Sequence, residues 1–155
     1  MTDIASAFDS EAFMADLIMS GGLLKDDGTP ETGVIISLFT DRRAEPDDEL
    51  PVGQDDRRGW WGDALPPATA DAAAGDRIGS RLWLLKREKQ TQEALNRARG
   101  YIEEALAWTI ADGVFASLDV TVEWAADGVL AFVVAAQFPA GGEYRRQFIS
   151  KLLGG

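Results

Sequence analysis

The spacing of hydrophobic positions changes along the chain, and this change divides the sequence into predicted elements. Between residues 92 and 112 apolar side chains recur every three to four positions, which is typical of one face of an α-helix. From Leu118 onward apolar and polar residues alternate, which is the pattern of a half-buried β-strand. Turn sequences rich in Gly and Pro follow. The pattern therefore predicts a helix and then an antiparallel meander over residues 114–124, 129–138 and 143–149.

Two helices are predicted within residues 77–112. In the first, Ile78, Leu82 and Leu85 recur at helical spacing. The second is expected to start at Thr91 as N-cap and to stop at Gly113. Its inward face is predicted to consist of Leu95, Ala98, Ile102, Ala105, Leu106 and Thr109, with an ion pair between Glu93 and Arg97 on the outer face.

The first forty residues contain signals for a strand and a helix. Residues 13–19 form a short apolar run typical of a strand, and Gly21-Gly22 offers a turn. Thr29 as N-cap, Pro30 at the first helical position and Glu31 in the first turn then indicate a helix through Phe39. Its apolar run Val34-Ile35-Ile36 also suits a buried strand, and the cap signal favours the helix.

These elements define an α+β fold, in which a small antiparallel sheet (the C-terminal meander plus an N-terminal hairpin) packs with about three helices. A single domain over residues 1–155 is expected, with an irregular loop over residues 41–76 that is rich in Pro and Gly. Residues 41–63 carry paired arginines and tryptophans and are expected to be ordered against the core. Residues 64–75 are small and Ala/Pro-rich and are expected to be mobile.

Composition removes several classes of function. The net charge of −11 opposes binding to nucleic acids and to anionic membranes. The chain has no Cys and no His, so disulfides, thiol chemistry, His general bases and His metal ligands are all excluded. The N-terminal residues lack the basic and apolar regions of a signal peptide, and no apolar run has the length of a membrane span.

Candidate chemistry is sparse. An acidic run could bind Ca²⁺ through its oxygens, but its spacing does not match an EF-hand and a solvated loop explains it as well. The glycines at 75 and 79 suggest either a phosphate loop or the entry to a helix, and the phosphate motifs are incomplete. A pair of carboxylates could hydrolyse glycosides. The acidic run consists of Glu45, Asp47, Asp48, Glu49, Asp55 and Asp56.

Paired arginines and tryptophans in the irregular loop are the stronger candidates. They either pin the loop internally through bidentate ion pairs or form an interface, because Trp and Arg dominate binding hot spots. In an extended loop, adjacent residues point to opposite sides, so one tryptophan is predicted to be buried and the other exposed. The candidate interface residues in this loop are Arg42, Arg43, Arg57, Arg58, Trp60 and Trp61.

The last predicted strand supplies three further interface candidates, Tyr144, Arg145 and Arg146. As the outer strand of a small sheet it has unpaired backbone groups. The charged side chains either guard this edge against pairing or flank a site where a neighbouring protein adds a strand.

The loop residues also resemble a known family. Five stretches of the chain are similar to the Mu-type phage baseplate protein family. They are residues 34–44, 47–51 and 75–85, the run Asp56-Arg57-Arg58-Gly59-Trp60-Trp61-Gly62-Asp63 and, in the helix, Ala105-Leu106-Ala107-Trp108. The similarity covers about residues 13–124. This family looks like a counterpart of the contractile-tail baseplate wedge proteins that were once called tail lysozymes and are now viewed as sheath initiators.

The resemblance implies a structural, non-enzymatic component of a tail baseplate, assembled in the host cytoplasm. Its expected partners are other baseplate wedge proteins and the tail sheath, with no cofactor, metal, nucleic acid, membrane or small-molecule substrate. The older label leaves a carboxylate-based peptidoglycan hydrolase as the alternative. One departure matters: the wedge relatives have a Glu-Pro-Arg motif where this chain reads Asp112-Gly113-Val114, so the role of that motif does not carry over.

Overall fold

The computed structural model describes residues 3–4, 6–9, 14–17, 19–20, 23–24, 26–27, 29–64, 77–86 and 88–152. The predictions for Gly21-Gly22 and, apart from Ala64, for residues 64–75 lie outside these described residues. The chain forms two compact units, Met1–Ile36 and Ser37–Gly155.

The described residues of the first unit form three antiparallel strand pairs. Strand β1 (Asp3–Ile4) pairs with β6 (Asp26–Asp27), and this pair encloses the other two along the chain. Strand β2 (Ser6–Asp9) pairs with β3 (Met14–Leu17), and β4 (Met19–Ser20) pairs with β5 (Leu23–Leu24). The predicted strand around residues 13–19 is thus confirmed for β3 and β4. Each pair is a two-stranded sheet of its own.

Helix α1 spans Glu31–Phe39, which confirms the helix over the strand interpretation of Val34-Ile35-Ile36. It starts at Glu31, one residue later than predicted, so Pro30 precedes the helix and its carbonyl accepts the first helical hydrogen bond, from Val34 N at 3.0 Å. Its last residues belong to the second unit, where the Phe39 ring lies 6.5 Å from Phe132 and 5.9 Å from Phe148. Aromatic contact with the sheet therefore fixes the end of this helix.

Helix α2 spans Gln92–Ala111 and has the caps that the sequence predicts. The Thr91 hydroxyl accepts a hydrogen bond from Ala94 N at 3.1 Å, and Gly113 adopts a φ of +70°. The buried face differs from the predicted one at one position, because Ala94 is buried and Leu95 is half-buried. The buried residues are Ala94, Ala98, Ile102, Ala105, Leu106 and Thr109.

One predicted ion pair of α2 is wrong. Arg97 donates to Glu88, which precedes the helix, instead of pairing with Glu93. The segment ahead of the helix brings Glu88 to a half-buried position, where screening by water is weaker than on the open helix surface.

The predicted meander is confirmed as a three-stranded antiparallel sheet in the order β7–β8–β9. Its strands are β7 (Ser117–Ala126), β8 (Val129–Gln137) and β9 (Glu143–Lys151). Alternate residues face α2 and Phe39 and form the core with Phe115, whereas the opposite face is largely polar on β7 and β9. The buried inward residues are Val120, Leu130, Phe132, Val134, Ala136, Tyr144 and Phe148.

The predicted helix around Ile78, Leu82 and Leu85 is wrong. Only Leu82–Leu85 is helical, as a single 3₁₀ turn in which all four side chains are buried. Ile78 is 39% exposed, and Ser80 pairs with Asp41 in a parallel bridge. A positive φ at Gly79 prevents a continuous helix there. The predicted helix entry at this glycine is therefore also wrong, and the fold has two α-helices in the described residues.

Replacing Thr91 by alanine is expected to lower the free energy of unfolding by about 1 kcal/mol, because the backbone N–H of Ala94 loses its acceptor. Urea unfolding followed by circular dichroism measures this loss. A Thr91→Ser variant keeps the hydroxyl and should retain most of the stability. Equal losses in the two variants would show that the cap contributes nothing.

Candidate protein-interaction site

The irregular loop is ordered over residues 41–63 because backbone hydrogen bonds tie both of its ends. Arg42 N donates to Ser80 O at 3.0 Å, and Ser80 N donates to Thr40 O at 2.9 Å. Further along, Ala44 N donates to Arg57 O at 2.9 Å, which closes the loop upon itself. The prediction that this half of the loop is ordered against the core is confirmed.

A glycine makes the first of these ties possible. Gly79 has a φ of +103°, and a Cβ at this position would lie 2.4 Å from Thr40 O and 2.9 Å from Arg42 N. Any larger residue would collide with the backbone that the two hydrogen bonds hold in place.

Arg81 is the centre of the ion-pair network beneath the loop. It donates to both oxygens of Asp48 at 2.9 and 3.0 Å and to both oxygens of Glu104 at 3.0 and 3.2 Å. Its guanidinium also lies 4.8 Å from the centre of the Tyr101 ring. Burial alone would lower the pKa of Arg81, but its hydrogen bonds to Asp48 and Glu104 outweigh burial and raise the pKa. The network thus fastens the loop to helix α2.

The Arg57-Arg58 pair is turned inward. Arg57 donates to the carbonyl oxygens of Glu45 and Pro46. Arg58 donates to Asp41 Oδ2 at 2.5 Å and lies 4.6 Å from the centre of the buried Trp83 ring. Arg57 and Arg58 therefore hold the loop together, as expected if the paired arginines make internal contacts and not an interface.

The two residues of the earlier pair, Arg42-Arg43, differ in exposure. The Arg42 side chain is 15% exposed and lies 3.7 Å from Glu104, and its carbonyl accepts a hydrogen bond from Trp83 Nε1 at 2.8 Å. Arg43 is exposed and donates to Arg58 O at 3.2 Å. Of the four loop arginines, Arg43 is the one whose side chain the structure leaves at the surface.

The prediction that one of the two adjacent tryptophans is buried is wrong. Trp60 is 42% exposed and Trp61 is 73% exposed, and their ring centres lie 5.3 Å apart. Trp61 begins a 3₁₀ turn, Trp61–Ala64, and Asp63 N donates to Trp60 O within it. This bend replaces the extended backbone that would have sent the two rings to opposite sides. Val52 in the same loop is 90% exposed.

The three candidates on β9 occupy different environments. Tyr144 is buried, with its ring 5.3 Å from that of Phe115, so it belongs to the core. Arg145 is exposed and lies 3.9 Å from Glu143. Arg146 is exposed at the edge of the sheet, with its guanidinium 6.0 Å from the Tyr144 ring centre.

Several carboxylates of the described residues are held in structural contacts. A cleft of about 250 Å³ is lined by Glu88 and Asp127, among others. Glu88 pairs with Arg97, and Asp127 accepts a hydrogen bond from Gln90 at 2.9 Å. In the acidic run, Glu45 pairs with Arg77, and within the described residues no group of acidic side chains has the arrangement of a metal site.

A membrane-spanning helix is not found among the described residues.

Sequence reasoning missed several residues that build this site. The acidic run predicts a solvated Asp48, and no local pattern marks Glu104, because their partner Arg81 lies 33 and 23 positions away in the sequence. The need for a glycine at position 79 follows from the bridge between the neighbouring Ser80 and Asp41, which the sequence does not reveal.

These observations define the class of protein. A small α+β domain presents an exposed tryptophan pair on a loop that ion pairs hold in place. The comparison with known proteins then gives the family. The family model described as "Phage protein GP46" matches residues 30–143, and the chain belongs to this family.

Two relatives extend the match over most of the chain. The baseplate protein gp46 of Escherichia phage Mu is 44% identical over 148 residues, which is 96% of this chain and 95% of that protein. The Mu-like prophage FluMu protein gp46 of Haemophilus influenzae is 35% identical over 133 residues, which is 86% of each chain. The resemblance to a Mu-type family is confirmed.

Proposed function

We propose that this protein is a structural, non-enzymatic component of the baseplate of a contractile phage or prophage tail. Support comes from the identity with the Mu protein, whose name places that relative in a baseplate. The observation that carries the proposal is the exposed Trp60–Trp61 pair on an ordered loop. The expected location is the tail baseplate of the virion, after assembly in the host cytoplasm.

The loop is built to present this aromatic surface with little loss of entropy on docking. Arg57 and Arg58 hold its backbone, and Arg81 fastens it to α2 through Asp48 and Glu104. A surface that is already ordered loses less conformational entropy on binding, so more of the contact energy becomes affinity. The arginines thus position the loop, and the tryptophans make the contact with other baseplate wedge proteins.

Replacing both Trp60 and Trp61 by alanine is expected to leave the domain folded and to block its incorporation into tails. Hot-spot tryptophans contribute about 2 kcal/mol or more, so each truncation should weaken docking about 30-fold. The measurement is complementation of a phage lacking the gene, scored by infectious titre and by the amount of this protein in purified tails.

Ile110→Ala is the matched control, because Ile110 on helix α2 is as exposed as Trp60, at 42%. It should support a normal titre. If the double tryptophan variant assembles tails as well as the wild type does, the docking surface lies elsewhere.

We also propose that the β9 edge templates the first ring of the tail sheath by accepting a strand. Phe138 N donates to Gly142 O and Leu152 N donates to Gly128 O, in the register that pairs Phe132 with Phe148. Because bonded pairs alternate along an antiparallel ladder, even-numbered residues of β9 bond to β8. The N–H and C=O groups of Arg145, Gln147 and Ile149 therefore point away from β8, toward an edge that pairs with no other described strand.

A Gln147→Pro variant is expected to keep the fold and to stop sheath polymerisation on baseplates. Proline removes an N–H that faces the open edge and is tolerated on edge strands. Gln147→Thr keeps the N–H and should polymerise sheath normally. Electron microscopy of tails counts sheathed and naked particles, and normal sheaths on Gln147→Pro baseplates would refute the strand-addition model.

The hydrolase alternative is tested by incubating the pure protein with peptidoglycan between about pH 4 and pH 8. A retaining or inverting glycosidase needs one carboxylic acid that is free to donate a proton. Glu88 and Asp127 in the cleft are instead engaged by Arg97 and Gln90, so no turnover is expected. Turnover that a single carboxylate substitution abolishes would contradict the structural function.

A further inference from the structure

The exposed charges of the tryptophan loop, residues 44–63, have one sign. Arg57 and Arg58 are half-buried and donate within the loop, whereas every exposed charged side chain of residues 44–63 is acidic. The exposed Arg43 lies just before this segment and donates to Arg58 O. Asp56 accepts a hydrogen bond from Arg58 N, so its carboxylate helps to hold the loop. The remaining three exposed carboxylates have no ion pair with any described residue and face solvent; they are Asp47, Glu49 and Asp55.

The aromatic rings of this part of the domain fall into two groups. The inner rings are each covered by a cation of the chain, with Arg58 at 4.6 Å from the centre of Trp83 and Arg81 at 4.8 Å from the centre of Tyr101. No guanidinium or ammonium group of the described residues lies over the outer rings, Trp60 and Trp61. Among the described residues, the exposed surface of Trp60 and Trp61 thus has no cation partner, and the exposed charges of the same loop segment are acidic.

We infer that the Trp60–Trp61 pair receives an arginine or lysine side chain from an extended segment of another tail protein. The inference rests on the proposed docking function and specifies the chemistry of the partner. A cation is attracted to the face of an indole ring more strongly than to other aromatic rings. The unpaired carboxylates of the loop and the net charge of −11 draw such a segment toward the surface.

Charge selects this occupant over an apolar one. A purely apolar partner large enough to cover the loop as well as the tryptophans would desolvate the unpaired carboxylates of the loop without supplying a donor, and that desolvation opposes binding. A basic segment is attracted by the same carboxylates, because its charge is complementary to theirs.

The test is a titration of the full-length protein with short peptides, followed by the indole N–H signals of its five tryptophans in NMR spectra. The probes are acetyl-Gly-Arg-Gly-Arg-Gly-amide and the same peptide with Gln or Leu in place of Arg. The Arg peptide is expected to shift the Trp60 and Trp61 signals and to bind more weakly as salt is added. Equal binding of the Gln or Leu peptide, or equal shifts of all five signals, would overturn the inference.

Single Trp60→Ala and Trp61→Ala variants should each weaken the Arg peptide about two- to five-fold. The indole signal of Trp83, which is hydrogen-bonded to Arg42 O, reports whether each variant keeps the fold of the loop. An unchanged Trp83 signal together with unchanged peptide affinity would overturn the inference.

Charge variants separate local attraction from the overall charge of the chain. Neutralising Asp47, Glu49 and Asp55 together should weaken the Arg peptide more than neutralising three acidic residues outside the loop, Glu93, Asp112 and Glu123. Equal losses in the two triple variants would show that only the net charge matters.

A second copy of this chain is the competing occupant, since Arg145, Arg146 and Lys151 on β9 are exposed. Sedimentation of the wild-type protein is expected to show a monomer. Self-association that the Trp60→Ala/Trp61→Ala variant abolishes would overturn the inference in favour of a homomeric contact. If the peptides fail to bind but that variant is still excluded from tails, the docking function stands and only the cationic partner is refuted.

Discussion

A Gly79→Ala variant is expected to lose about 3–5 kcal/mol of folding stability. A side chain at a φ of +103° strains the backbone by about 1–3 kcal/mol. Its Cβ would also lie 2.4 Å from Thr40 O, so the hydrogen bonds that join Thr40 and Arg42 to Ser80 must separate, at about 1 kcal/mol each.

Gly100→Ala is the matched control for this variant. Gly100 lies within α2, and a Cβ there meets no atom within 4 Å. Because glycine is a poor helix former, alanine should raise the free energy of unfolding by about 0.5–1 kcal/mol. Urea unfolding of both variants measures the difference. A Gly79→Ala protein within about 1 kcal/mol of the wild type would show that the bridge at Ser80 is not required.

Replacing Arg81 by methionine is expected to cost about 2–4 kcal/mol, because Asp48 and Glu104 would be left close together without their shared cation. Breaking a fully buried pair costs about 3–5 kcal/mol, and the 14–31% exposure of these side chains lowers the effect. Arg81→Lys keeps the charge but not the bidentate geometry, so it should restore only part of the stability.

Arg99→Met is the control for the Arg81 variants, because Arg99 pairs with Glu103 on the open surface of α2 and should be replaceable without a measurable change. In the Arg81→Met protein the loop is also expected to become sensitive to proteolysis between residues 41 and 63. Equal stability of the Arg81→Met and Arg99→Met proteins would mean that the network does not hold the loop.

The elements with a regular period were predictable from the sequence, and the loop was not. Helix α2 and the β7–β8–β9 meander follow patterns that repeat locally, and Thr91 and Gly113 mark the helix ends. The segment around Leu82 has the same apolar spacing as a helix, but there all four residues of Leu82–Leu85 are buried. Burial on every side, and a bridge from Ser80 to a residue 39 positions away, override the local preference.

The composition of the candidate site was predictable, but its geometry was not. Arg-Arg and Trp-Trp pairs were identified as either internal or interfacial, and the structure assigns Arg57 and Arg58 to the interior and Trp60 and Trp61 to the surface. The division depends on Asp41, Glu45 and Pro46 accepting from the arginines, and such long-range partners have no spacing that a single sequence displays. Both tryptophans are exposed because a 3₁₀ turn begins at Trp61, whereas the prediction assumed an extended backbone at this point.

Photo-crosslinking in assembled tails tests the proposed docking most directly. A phage lacking the gene is complemented with this protein carrying a benzophenone amino acid at position 61, and purified tails are irradiated and examined by mass spectrometry. The account predicts a cross-link from position 61 to another baseplate protein and none from the same probe at position 110. Tails that lack this protein, or that cross-link from position 110 and not from position 61, would contradict it.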